Sequence, residues 1–365
     1  MSEAIDDGSG SQGGEASGGG FVTPEQIIDD LWAPRATQVL VTAVELDLFS
    51  HLAAGARTAE AVATAAGAHP RGVRRLLDAL IALGYLDPAT PPDSAGEGTN
   101  TPITQPRYTL TPAARRFLVR DSPSYLGDLC HETRTLWSRW PRLTDVVRTG
   151  EPTARWEEEQ DGKANFPALV SAWFPMSFGA ARAAVAALPE PTRAGIRRIL
   201  DVAAGSGAWS LAFALDQPEA RVTTVDHAEV TEVTRAHAAR FGVADRYEHR
   251  CGNLRDVEFG TGYDLVTLGY IVHTEGPRWG PRLLEKAYAA LREGGTLLIG
   301  DWLPNEARTA PDLPLVFAAT DLLLFSEHGD VFPLSTYRAW LTAAGFRTVE
   351  TLDVLAASPL IVATK

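Results

Sequence analysis

The sequence predicts an α/β protein whose C-terminal half is a doubly wound, mostly parallel sheet of seven strands, preceded by a mostly helical N-terminal region. Three observations predict it. From Arg197 onward, short apolar runs alternate with helical segments. The last two of those runs are joined by only a few residues around Ala356-Ala-Ser-Pro359, too few for a parallel crossover, so they pair antiparallel. Before Arg197, the apolar residues recur at helical spacing instead.

Residues 1–20 are nearly all Gly, Ser, Ala and acidic residues, which bury too little apolar surface to offset ordering, and the segment is expected to be disordered. Gln26 to Leu52 carries apolar clusters at helical spacing, with the helix ending near Phe49. Two short helices follow, Thr58 to Ala66 and Pro70 to Leu83, the second with Val73, Leu76, Leu77, Leu80 and Ile81 on one face and Gly84 as its stop. Tyr85-Leu86 and Arg107 to Leu110 read as a hairpin whose long tip is rich in Pro, Gly, Ser and Thr. Helix, helix, hairpin is a winged-helix pattern. From Ser124 to Leu188 the chain is helical and aromatic, with Tyr125, Trp137, Trp140, Trp156, Phe166, Trp173, Phe174 and Phe178 either walling a ligand pocket or filling a helical core.

The seven strands fall at Ile199–Ala203, Arg221–Asp226, Tyr247–Gly252, Tyr263–Val272, Thr296–Asp301, Arg347–Val354 and Leu360–Thr364, with helices near 208–216, 229–241, 279–292, 313–325 and 335–344. The 365 residues and 45% hydrophobic content suit two folded units. Cys130 and Cys251 form no disulfide framework and no metal-ligand spacing, so both are expected reduced and structural, and no metal is expected. There is no basic segment leading into an apolar run and no stretch of eighteen apolar residues, which leads to the expectation of a cytoplasmic protein without a membrane partner. A net charge of −13 opposes binding to nucleic acid. Against that, Arg71, Arg74 and Arg75 open the helix that would enter a DNA groove, the basis for a competing reading as a regulator.

The chemistry is concentrated at the ends of the first strands. Ile199-Leu-Asp-Val-Ala203 runs into Ala204-Gly-Ser-Gly207 and then a helix, so a turn of small residues meets a helix N-terminus at the carboxyl edge of the sheet, where such sheets bind ligands. A dinucleotide would be the natural occupant, but Ser210 stands where that fingerprint has its third Gly or Ala, and Asp201 lies inside the strand end. Asp226 ends the second strand nineteen residues after Gly207, placed either to take both hydroxyls of a ribose or to cap the following helix. Cys251-Gly-Asn253-Leu254 closes the third strand, where an amide could meet an adenine amino group.

With these residues the sequence resembles the small-molecule S-adenosylmethionine-dependent O-methyltransferases, the family of plant phenylpropanoid and bacterial polyketide-tailoring enzymes. The resemblance covers about residues 25–365. It implies a winged-helix-like dimerisation domain over 21–123, a helical linker lining the substrate pocket over 124–190, and a Rossmann-like S-adenosylmethionine domain over 191–365. Asp201-Val-Ala-Ala-Gly-Ser-Gly207 stands for the family's Asp-Val-Gly-Gly-Gly-x-Gly, and Gly252-Asn253-Leu254-Arg255 for its Gly-Asp-x-Phe. Cofactor contacts are thereby implied for Asp201, Gly205, Ser206 and Gly207, for Asp226 and His227, for Gly252, Asn253 and Leu254, and for Gly269. The family's catalytic His falls on His273, with Thr274 in place of the following Asp; Asp301 matches the acidic residue that orients the base, and Glu327 a third acidic position. Trp137, Trp173, Met176 and Tyr270 are the implied substrate contacts. The activity implied is methylation of a hydroxyl on a small aromatic acceptor by a homodimer. Carbon or nitrogen methylation, and a tailoring reaction that keeps the cofactor without transferring methyl, remain alternatives.

Overall fold

The computed structural model describes residues 22–89, 106–155, 160–354 and 358–365. The expected disordered tail at 1–20, most of the hairpin tip, Trp156 and residues 355–357 of the link between the last two strands lie outside the described residues. The chain divides into two compact units, Met1–Thr111 and Pro112–Lys365.

In the first unit, helix α1 (Pro24–Glu45) starts on Thr23, whose hydroxyl accepts a hydrogen bond from the Gln26 amide, with Pro in its first turn. The helix expected to continue to Phe49 breaks at Asp47, which adopts a left-handed φ of 50° that Asp tolerates, and α2 (Leu48–Ala53) begins there. Thr58 caps α3 (Ala59–Ala66), and α4 (Pro70–Ala82) buries Val73, Leu77 and Leu80. Strands β1 (Leu86–Pro88) and β2 (Tyr108–Leu110) pair antiparallel, and the Tyr108 hydroxyl reaches back 2.8 Å to Asp78 of α4. This is the helix, helix, hairpin order read from the sequence.

The second unit opens with helices α5 (Pro112–Phe117), α6 (Leu129–Arg139), α7 (Leu143–Thr149), α8 (Gln160–Ala187) and α9 (Glu190–Ala194). Then follow β3 (Arg198–Val202), α10 (Ala208–Asp216), β4 (Arg221–Asp226), α11 (Ala228–Arg240), β5 (Tyr247–Cys251), β6 (Tyr263–Gly269), α12 (Val272–Ala290) and β7 (Leu291–Gly300). The chain ends with α13 (Asp312–Phe317), a π-helical turn at Ala318–Leu322, α14 (Leu323–Phe325), α15 (Leu334–Ala344), β8 (Thr348–Leu352) and β9 (Leu360–Thr364). The sheet order is β5-β4-β3-β6-β7-β9-β8, parallel except for β9, which runs antiparallel to both neighbours. The apolar runs are continuous because both faces are covered. Leu200, Val202, Leu268 and Ile299 pack towards α12 and α15, while Ile199, Leu265 and Leu298 pack towards α8 and α10. Connections leave β3 in one direction and β6 in the other, so a crevice opens above the carboxyl ends of these two adjacent strands.

One boundary matters for the site. The fourth strand, expected to run to Val272, stops at Gly269 because Tyr270 turns to a left-handed φ of 57°. His273 therefore lies in the first turn of α12 and not at a strand end. That helix, expected from 279, begins at Val272 and kinks at Gly276 (φ 63°, ψ −168°), immediately before Pro277.

Candidate active site

A cavity of about 310 Å³ lies in the second unit over the ends of β3, β4 and β6, with α8 and the segment around Phe317 to Ser326 on its other side. Its floor is the turn after β3. Gly207 sits at φ 72°, and a Cβ there would stand 2.7 Å from Thr234 Cγ2, so the turn requires glycine for both conformation and space. Helix α11 braces the turn from behind: Thr234 Oγ1 donates to the Gly205 carbonyl at 2.7 Å, and His237 Nδ1 to the Ser206 carbonyl at 2.9 Å. Burial lowers the His237 pKa, which favours a neutral ring, and the carbonyl partner fixes its proton on Nδ1.

Asp226, at the end of β4, lines the cavity, one oxygen accepting from the Gly205 amide at 2.8 Å and the other from the His227 amide at 2.7 Å. Burial pushes its pKa up to about 6 against those two bonds. Asp201 is fully buried beneath the turn, bound by Thr267 Oγ1 at 2.7 Å and the Ser210 amide at 3.2 Å, and burial raises it to about 6 as well. Asp201 and Gly207 thus shape the turn without lining the cavity. Gly205, Ser206, His227, Gly252, Asn253, Leu254 and Gly269 do line it. The Asn253 amide oxygen accepts the Arg255 N–H at 2.9 Å, a local turn that holds the segment after β5.

His273 faces the cavity from α12. Its Nδ1 stands 2.5 Å from Asp301 Oδ1, and its backbone N–H donates to Asp301 Oδ2 at 3.0 Å. Asp301 also accepts from the Trp302 amide at 2.9 Å and from the Tyr337 hydroxyl at 2.6 Å. A carboxylate receiving four donors cannot rotate, and it keeps the His273 proton on Nδ1, leaving Nε2 as an acceptor. Burial and the adjacent Asp301 charge raise the Tyr337 pKa well above its ordinary value, so it stays a donor. Beyond His273, aromatic rings form a wall: Phe317 meets His273 edge-on at 5.6 Å, Trp302 lies 5.6 Å from Phe317, and Trp173 lies 6.5 Å from Trp302. Tyr270 joins it, 5.4 Å from Trp302. These rings bound the cavity beside an imidazole whose acceptor nitrogen can take a proton from a hydroxyl.

Of the residues implied for substrate, Trp173 and Tyr270 line the cavity, whereas Trp137 packs on Trp140 outside it and Met176 is exposed. The Glu327 carboxylate is likewise placed elsewhere: it binds Arg155 Nε at 2.9 Å and does not line the cavity. The structure adds Tyr337, Thr234, His237, Trp302 and Phe317, together with two acidic residues, Glu132 and Asp321. The α8 contribution has a sequence signature, since Phe166, Val170, Trp173 and Ser177 repeat at helical spacing on the lining face and Met176 falls off that stripe.

Comparison with known proteins gives a consistent result. Residues 32–120 match the model of the O-methyltransferase dimerisation domain, and residues 183–347 that of the O-methyltransferase domain. The chain is 29% identical to the tetracenomycin polyketide synthesis 8-O-methyl transferase of Streptomyces glaucescens, covering 94% of this chain and 97% of that one. A candidate O-methyltransferase structure from Nostoc punctiforme is 26% identical with a TM-score of 0.80, over 95% of this chain and 100% of that one. Human N-acetylserotonin methyltransferase, solved in complex with SAM, shares the fold at 22% identity and a TM-score of 0.79, over 96% and 99% of the two chains.

Proposed function

Because this chain belongs to the S-adenosylmethionine-dependent O-methyltransferase family, we propose that it methylates a hydroxyl of a small aromatic acceptor, with His273 as general base. The observation that carries this reading is the pair His273–Asp301 at the cavity wall, with the imidazole proton fixed on Nδ1. When bound, S-adenosylmethionine supplies an electrophilic methyl group on a sulfonium and leaves as a neutral thioether.

The residues present fit that cofactor. Each Asp226 oxygen accepts one backbone N–H and retains a lone pair for a ribose hydroxyl. The turn Gly205–Ser206 bounds the cavity beside it, and the Asn253 amide oxygen, which accepts one N–H locally, retains a lone pair for an adenine amino group. The protein's share of the chemistry is proton management and alignment. A phenol with pKa about 10 is weakly nucleophilic at neutral pH, and an imidazole with pKa about 6.5 accepts its proton as the new O–C bond forms. The hydroxyl proton goes to His273 Nε2, the oxygen electron pair forms the bond to carbon, and the Asp301 carboxylate stabilises the resulting imidazolium. The ring wall of Phe317, Trp302 and Trp173 holds the acceptor plane and excludes water.

The protein acts as a homodimer in this reading. Val22, Ile27, Ile28, Leu31 and Trp32, at the start of the first unit, are each at least 50% exposed, an apolar patch suited to a second copy. No helix among the described residues is long and apolar enough to cross a membrane. The net charge of −13 and the pairing of Arg74 with Asp78 count against a nucleic-acid partner. The reading is tested by calorimetric titration with S-adenosylmethionine, NAD and NADP. Binding of the first alone, lost in Asp226→Ala, is expected; binding of NAD instead refutes it.

A further inference from the structure

Four carboxylates line the cavity, Glu132, Asp226, Glu275 and Asp321, and no Lys or Arg among the described residues joins them. Two are accounted for. Asp226 takes backbone amides of the cofactor turn, and Glu275 is ion-paired with Arg255 at 2.9 Å. Glu132 on α6 and Asp321 in the π-helical turn are not used by the mechanism. Each has one oxygen on a neutral indole: Trp173 Nε1 donates to Glu132 Oε2 at 2.8 Å, and Trp140 Nε1 to Asp321 Oδ1 at 3.3 Å. An indole N–H orients a carboxylate without balancing its charge. The second oxygen of each has no hydrogen bond among the described residues. Leu136, Leu322 and Phe325 line the same cavity, an apolar setting in which two carboxylates without a cation partner among the described residues are costly. Burial raises both, Glu132 to about 7, and the Asp321 charge adds to the Glu132 shift. The π-helical turn inserts an extra residue in the helix at Asp321, a distortion common where a side chain is re-aimed for function.

The position is informative as well. Trp173, the Glu132 partner, is reached from His273 through Phe317 and Trp302 in three successive ring contacts. A flat acceptor whose reacting hydroxyl meets His273 extends its far edge along this wall to the acidic pair. We propose that Glu132 and Asp321 form the acceptor-specificity site, binding a polar hydrogen, of an amine or a second hydroxyl, on the edge of the acceptor remote from the methylated oxygen, and rejecting acceptors with a carboxylate there. This rests on the methyl-transfer reading and deepens it. It excludes the anionic aromatic acids that a purely aromatic pocket would admit.

The test measures binding of three acceptors of one ring system, a dihydroxynaphthalene, an aminomethylnaphthol and a hydroxynaphthoate, to the full chain saturated with S-adenosylhomocysteine. Wild type, Glu132→Gln and Asp321→Asn are compared. Wild type is expected to bind the first two at least about tenfold more tightly than the naphthoate, and each variant to lose about tenfold of that preference. The aminomethyl arm exceeding the dihydroxy arm identifies the ammonium as the preferred donor, and equality of the two identifies hydrogen bonding alone; both support the site. In turnover, the variants raise KM with kcat held within about threefold, which a merely structural role would not produce. An unchanged preference in both variants overturns the proposal, as does failure of all three acceptors to bind while S-adenosylhomocysteine binds. If S-adenosylhomocysteine itself does not bind to wild type, the methyl-transfer reading fails and takes this site with it.

Discussion

Replacing Asp301 by asparagine removes the charge behind His273 while keeping its shape, and the structure limits how the amide can sit. Asp301 Oδ1 accepts from His273 Nδ1 and the Trp302 amide, and Oδ2 from the His273 amide and the Tyr337 hydroxyl. An NH2 at the Oδ1 position would oppose two N–H donors. At the Oδ2 position it opposes only one, because the Tyr337 hydroxyl can rotate to accept. The amide oxygen therefore stays on His273 Nδ1, the proton on that nitrogen is preserved, and what is lost is the anion facing an imidazolium. A hydrogen bond to a charged group is worth about 1.5–3 kcal/mol, and about 1.4 kcal/mol is a factor of ten in rate, so kcat falls about 10- to 100-fold. His273→Ala, which removes the base itself, falls further, by about 10²- to 10⁴-fold. The assay is steady-state methyl transfer, with S-adenosylhomocysteine affinity and thermal melting measured on the same samples. A loss of kcat under about threefold, or a parallel loss of S-adenosylhomocysteine affinity, would mean that the Asp301 charge does not act through His273.

Three further outcomes follow from the same geometry. Ligand hydroxyls donate to ionised Asp226, whose pKa burial raises to about 6, so S-adenosylhomocysteine affinity is flat above that pH and falls below it, about tenfold weaker at about pH 5 than at neutral pH; calorimetry across this range shows it, and Asp226→Asn, weaker throughout, flattens the profile. Gly207→Ala forces a left-handed alanine against Thr234 Cγ2 and destabilises by about 1–3 kcal/mol in thermal melts, with Thr234→Ser restoring the part due to the contact by removing that methyl. Tyr337→Phe removes one donor from Asp301 and lowers kcat about 3- to 10-fold with acceptor KM unchanged, since Tyr337 does not line the cavity.

The inner strands of the sheet are legible because they are buried on both faces and rich in apolar and β-branched residues; β4 and β9 have the bounds expected from sequence alone. The same property hid the end of β6. Tyr263 to Val272 reads as one strand-like, mostly apolar segment, and the stop comes from Tyr270, a non-glycine residue in a left-handed conformation that no local composition announces. The glycine turn and the residues after β4 and β5 were legible because short spacings carried them to the sheet edge. Side chains brought by remote helices were not. Glu132 is 41 residues from its partner Trp173, and Trp140 is 181 residues from Asp321. Glu327 meets Arg155 across 172 residues, a pairing invisible in a sequence that offered a plausible acidic position. The resemblance implies Trp137 and Met176 as contacts, but the facing of their helices turns both away from the cavity; the periodic stripe through Trp173 on α8 is the better signal.

Methyl transfer from S-adenosylmethionine to oxygen with His273 as base fixes where the methyl group ends up. Its most direct test is incubation of the protein with trideuteromethyl-labelled S-adenosylmethionine and a dihydroxynaphthalene or aminomethylnaphthol, with the product located by mass spectrometry and NMR. The label is expected on oxygen for wild type, with its formation slowed at least about 100-fold in His273→Ala. Label on carbon, or an unslowed His273→Ala, would contradict it.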